Sequence, residues 1–202
     1  MTRTQTAADA TSVTSVTSAP SRTVGIRFAV ALAGALSVAL AAQVAVPVPG
    51  TTVPMTLQPL AVLVVGGLLG PRFGALSLVM YLAMGAAGLP VFTPGGLPGA
   101  ARLFGPTGGF LLAYPFAAAL VGKSVGRYVG TELPPFRRTA LASFAGLAVI
   151  YAGGIAQLML ITGSGDAALA LGALPFLAKD LASILVAGLL IHRFQPSTRA
   201  LS

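Results

Sequence analysis

The chain has no cysteine and no asparagine, and only four of its 202 residues are acidic. Without thiols there is no disulfide framework, no thiolate zinc site and no cysteine nucleophile. Charge of either sign is scarce, at 8% of residues against roughly 25% in an average soluble domain. Hydrophobic residues make up 55%, and the mean hydropathy is +0.90. That balance excludes an ordinary soluble enzyme and a disordered chain. The remaining charges are mostly basic, giving a net +8 and a pI near 11.2. They punctuate long neutral runs instead of clustering on a polar domain, so nucleic acid is not the partner they point to.

What the sequence does contain is one apolar run after another. No charge occurs over 28–71, 73–101, 103–122 or 139–165. A bilayer core takes about 20 helical residues, and the runs lack the period-two alternation of barrel strands, so helices are the elements that satisfy their backbone groups there. The pattern predicts an all-α membrane domain over 26–193 with six transmembrane spans, at 26–46, 57–70, 73–88, 108–122, 139–162 and 168–191. The second and third are short and hinged at Gly70-Pro71-Arg72, because Gly and Pro punctuate a helical hairpin. Residues 1–25, rich in Ser, Thr and Ala, read as a disordered cytoplasmic tail, and 194–202 as a second cytoplasmic tail. Ten of the twelve Lys and Arg fall in segments on one side of this layout. The bias puts both termini in the cytoplasm and the chain, as a multi-pass protein, in the plasma membrane, with lipid around it. A cleaved secretory signal over 22–46 is the competing reading; its apolar run is too long for a usual signal core, and removing it would upset the even span count.

Two outer segments, 46–56 and 89–109, carry Pro47, Pro49, Pro54, Pro90, Pro94, Pro98 and Pro106 in irregular backbone. Stiff, nearly uncharged loops of this kind suit a lid over a cavity, since proline lowers the entropy lost on ordering; simple connectors are the plainer alternative. Within the last span stands the pair Lys179-Asp180. An ionisable pair inside a span is expensive unless paired or wet, which makes it a functional candidate. Lys179, Asp180 and Ser183 fall within an arc of about 100° on a helix and so can line one pocket. Arg102, the one cation of the outer loops, lies beside Gly105, Thr107, Gly108 and Gly109. A guanidinium fork with neighbouring glycine N–H groups fits a carboxylate. On the first helix Ala29, Ala33, Ser37, Ala41 and Ala45 recur every four residues, a face that lets a partner helix approach closely or packs inside the bundle.

Two motifs mislead. AAALVGKS at 117–124 has Ala where a phosphate-binding loop needs Gly, and it lies inside a span. His192 has no nucleophile or metal-ligand partner at useful spacing. No metal site, cofactor site or catalytic residue emerges, and the chain does not read as an enzyme.

The ordered blocks VPMTLQ, GPRFGALS, GAAGLPVF and GPTGGF, within a stretch from about Arg27 to Arg193, resemble the BioY family of biotin transporters. These are substrate-binding S components of energy-coupling factor (ECF) importers. The resemblance implies high-affinity biotin capture from the outside beneath the two loops, and partnership with a transmembrane T component and two cytoplasmic ATPases that hydrolyse ATP. A stand-alone carrier and a non-transporting membrane subunit or sensor remain alternatives. Under the resemblance, Asp180 accepts from the ureido N–H groups, Lys179 donates to the ureido carbonyl, and Arg102 with the 105–109 backbone receives the carboxylate. Gln58 adds an amide, and Phe92, Phe104, Tyr81, Tyr114 and Tyr151 supply the wall. The family pattern places a lysine three positions after the helix aspartate; here that position is Ser183, and Lys179 precedes Asp180 instead.

Overall fold

The computed structural model describes residues 20–126 and 135–199, with side chains described over 25–126 and 135–194. Helix α1 (Pro20–Gln43) begins inside the segment expected to be a tail. Proline starts a helix well, because its missing N–H would be unpaired in the first turn anyway. Residues 1–19 of that tail and 200–202 of the other lie outside the described residues.

After α1 the chain forms a two-residue ladder, β1 (Ala45–Val46) antiparallel to β2 (Met55–Thr56), with Ala45 opposite Thr56 and Val46 opposite Met55. The proline-rich loop 47–54 is thereby closed at its base. Helix α2 (Gln58–Ala86) is two legs joined at Gly70, whose φ of 78° and ψ of 179° are not helical. Gln58 and Tyr81 would lie about 34 Å apart on a straight helix, yet Nε2 of Gln58 donates to Oη of Tyr81 at 2.7 Å. The legs therefore run antiparallel. The turn needs a residue free of the Cβ penalty at positive φ, and Pro71, with no N–H to leave unpaired, opens the returning leg.

A short helix α3 (Ala101–Phe104) interrupts the outer segment expected to be wholly irregular. Helix α4 (Gly108–Gly126) packs between α2 and α5 (Phe136–Thr162). A Cβ on Gly153 of α5 would stand 2.6 Å from the Gly109 carbonyl, so this approach of α4 and α5 admits no side chain. The last expected span, 168–191, is not one helix. It consists of α6 (Gly165–Gly172), a 3₁₀ turn (Leu174–Phe176) and α7 (Leu177–Arg199). Pro175 breaks it, since a proline inside a helix removes one hydrogen bond and clashes with the preceding turn.

The core runs through Val62, Val65, Leu78, Tyr114, Ala117 and Ile150, with Ala35, Val38 and Ala39 of α1 closing one side. Large apolar side chains such as Leu40, Phe116, Leu141 and Leu160 face outward. Water disfavours such a belt, whereas lipid solvates it. Among the described residues, five helical segments are long and apolar enough to cross a membrane, and one of them is the folded-back α2. The chain is a mostly helical, multi-pass membrane protein.

Candidate binding site

The Lys179-Asp180 pair stands in the first turn of α7, directly after the 3₁₀ turn that Pro175 creates. Asp180 is 3% exposed. Its Oδ2 accepts a 2.6 Å bond from the Tyr151 hydroxyl of α5. Its Oδ1 is ion-paired with the Lys179 ammonium, and no hydrogen bond to it forms among the described residues. The same ammonium, which has three N–H groups, donates to the Thr56 carbonyl at 2.8 Å. Lys179 thus ties α7 to β2, and Asp180 Oδ1 is buried at the cavity with the Lys179 ammonium against it.

Gln58, at the start of α2, sits in a second polar cluster. Its Oε1 accepts from the hydroxyls of Thr93 (3.0 Å) and Thr56 (3.3 Å), while Nε2 donates to Tyr81. One side chain thereby joins β2, both legs of α2 and the outer segment 87–107. Tyr81 stands behind Gln58 and meets Phe92 edge-on, ring centroids 5.4 Å apart.

Arg102 is carried by α3. It is 5% exposed although it is a cation, and no ion pair to it forms among the described residues. Burial pushes its pKa below the usual arginine value, against an opposing influence of the Tyr81 and Tyr114 phenols. Guanidinium stays charged even so. A buried cation without a counter-charge carries a desolvation cost that an incoming anion offsets.

These groups line one inner cavity of about 50 Å³, walled by Phe92, Phe110, Tyr114, Ile150, Tyr151 and Phe176. Above it a vestibule of about 740 Å³ lies among the two outer segments. Pro54, Arg102 and Thr107 border both spaces and form the neck between them. The loops are pinned over the site through their own carbonyls or hydroxyls. Gln157 of α5 donates to Leu103 and Gly105, Gln43 of α1 to Pro90 and Phe92, and Thr51 to Leu171.

Of the residues expected from sequence, Asp180, Lys179, Arg102, Gln58, Thr107, Phe92, Tyr114 and Tyr151 meet at the cavity, and Tyr81 backs it. Others stand elsewhere. Phe104 is 81% exposed, on the outward side of α3, and forms no wall. Ser183 is buried, but its hydroxyl is bonded back to the Lys179 carbonyl one turn earlier. The Gly105 and Gly108 amides are used within the turn, donating to Arg102 and Gly105 carbonyls, and Gly109 packs on α5. The sequence reading did not single out Thr56, Thr93, Phe110 and Phe176. Thr56 and Phe110 lie in the blocks VPMTLQ and GPTGGF, which are their one signal; Thr93 and Phe176 have none, since irregular backbone carries no periodicity. The 117–124 segment is continuous helix within α4. No cluster of three metal-ligating side chains occurs among the described residues.

The sequence model of the BioY family matches residues 11–200. A probable biotin transporter BioY of Pyrococcus horikoshii is 37% identical over 72% of this chain and 83% of its own length. The biotin transporter BioY of Rhodobacter capsulatus is 36% identical over 83% of this chain and 93% of its own. Among solved structures, the S component for biotin from an ECF-type ABC transporter superposes with a TM-score of 0.77 at 23% identity, covering 89% of this chain and 95% of that one. At that identity the likeness speaks to the fold.

Proposed function

Because the chain belongs to the BioY family, we propose that it captures biotin with high affinity from the extracellular side and delivers it inward as the S component of an ECF-type importer. The observation that carries this reading is a single cavity with opposite chemistry at its two ends. At the α7 end stand a buried acceptor, Asp180 Oδ1, and the Lys179 amine; at the neck stands the buried Arg102 cation. Biotin is the complement of that arrangement. Its ureido N–H groups suit Asp180, its ureido oxygen suits Lys179, its bicycle suits the aromatic wall, and its carboxylate suits Arg102. A lysine at 179 serves the ureido oxygen from the position before the aspartate, in place of the one expected at Ser183.

The inner cavity is smaller than the roughly 300 Å³ at which ligand pockets begin, and it has room for only a few waters. Entry therefore displaces the loop segments 47–54 and 87–107, whose pins are few and mostly neutral. In this reading the two legs of α2 count as two spans, six cross the membrane, and both termini are cytoplasmic. A T component and two ATPases supply the energy, since the chain carries no nucleotide loop of its own. The nomenclature of the relatives and the S-component fold support this assembly.

The deciding experiment is equilibrium binding of radiolabelled biotin to the detergent-purified chain. Saturable one-to-one binding in the nanomolar range is expected. Absence of saturable binding rejects the reading.

A further inference from the structure

We infer that Gly96 is a positioning residue: the space left by its missing side chain seats the Arg102 guanidinium, and through that seat Gly96 sets the preference for a ligand with a free carboxylate. The inference rests on the reading of Arg102 as the carboxylate partner. A Cβ built on Gly96 would overlap Nη1 and Cζ of Arg102 and come within 2.8 Å of Nη2. The planar fork therefore lies in the volume that any side chain at position 96 would occupy.

The requirement concerns space and not backbone freedom. Its neighbours Gly95 and Gly99 hold φ of 75° and 56°, a region costly for other residues, but Gly96 does not have positive φ. An alanine can adopt the Gly96 backbone, so the substitution acts on what lies above it. What lies above it is the tip of a long side chain, which yields before the backbone does. Arg102 borders both the inner cavity and the vestibule, and Gly96 lines the vestibule beside it. A fork pushed off Gly96 loses its place at the neck. Bidentate recognition depends on a fixed plane, so even a small displacement of the fork forfeits it.

The test compares the purified full-length wild type with Gly96→Ala, Arg102→Ala and the double variant. Affinities are measured for biotin and for biotinamide, whose carboxylate is replaced by a neutral amide. Phenylglyoxal modification of Arg102, followed by peptide mass spectrometry, reports the seat without any ligand. Gly96→Ala is expected to weaken biotin at least about tenfold, to change biotinamide by less than about twofold, and to open Arg102 to the reagent. In the Arg102→Ala background it should add nothing, because the two residues act as one unit. Should Gly96→Ala prevent folding, removal of the arginine must restore it. The inference falls if Arg102 stays protected in Gly96→Ala, if both ligands weaken equally, if the two effects add, or if Arg102→Ala does not rescue a misfolded variant. A wild type that binds biotin and biotinamide equally, with Arg102 nevertheless exposed in Gly96→Ala, overturns the carboxylate reading and the specificity role together while leaving the seat intact.

Discussion

At Asp180 the two oxygens of one carboxylate have different surroundings: Oδ2 takes the Tyr151 hydroxyl, and Oδ1 meets the Lys179 ammonium and takes no hydrogen bond among the described residues. A charge-assisted bond formed there by a ligand N–H is worth about 1.5–3 kcal/mol, or roughly 10- to 150-fold in affinity. Asp180→Asn should lose that much biotin binding, whereas Asp166→Asn, on the exposed first turn of α6, should be neutral. Isothermal titration of the two variants checks this, and equal small losses would remove Asp180 from the site. Residue chemistry was the most legible part of the sequence. A buried charge pair and a lone outer arginine stand out against an apolar background whatever the fold. Which way a loop aromatic points is a different matter. Phe92 and Phe104 both stand in the same outer segment, yet packing against Tyr81 buries the first, while the second, at the end of α3, is left exposed.

On helix α1 two small-residue stripes run side by side, and packing divides them. Ala31, Ala35, Ala39 and Ala42 are buried, while Ala29, Ala33 and Ser37 are exposed and Ala41 half-buried; Ala45, expected to continue the stripe, lies beyond the helix in β1, where the chain has turned into the ladder. We propose the exposed stripe as the seat of the T component, since close backbone approach is what a small face offers a second helix. Ala33→Leu or Ser37→Leu should then leave melting temperature and biotin binding of the isolated protein unchanged and reduce co-purification of the T component. Ala35→Leu overpacks a filled space and should cost about 1–3 kcal/mol, seen as a lowered melting temperature. Intact co-purification in the first two variants would show that the outer face of α1 is not the docking surface. The hinge at Gly70 was legible because Gly-Pro has one strong backbone meaning; the break at Pro175 carried the same signal but lay beneath an apolar run long enough to read as one span.

For the molecule as a whole, the vestibule and the basic hairpin turn lie at opposite ends of the bundle, since Gln58 and Tyr81 meet at one end of α2 and Gly70 turns at the other. A chain without cysteine lets single cysteines report the sides directly. Thr52→Cys, exposed at the vestibule, should react with an impermeant maleimide on intact cells, and Ser124→Cys should react only after permeabilisation. Thr93→Cys should resist both, because Thr93 is 7% exposed and bonded to Gln58. Reversal of the first two results would invert the topology.

The sequence by itself determined the solvent and the helical class, and it named the charged residues of the candidate site. Those follow from composition and from single residues whose burial is costly anywhere in a membrane. Tertiary structure decided what composition cannot express. It folded α2 onto itself, placed Thr93 and Thr56 on Gln58 from distant segments, spent the Gly105 and Gly108 amides inside a turn, and seated Arg102 on Gly96. Each of these depends on where two remote stretches of backbone meet, and that meeting is set by packing across the bundle, not by any local pattern.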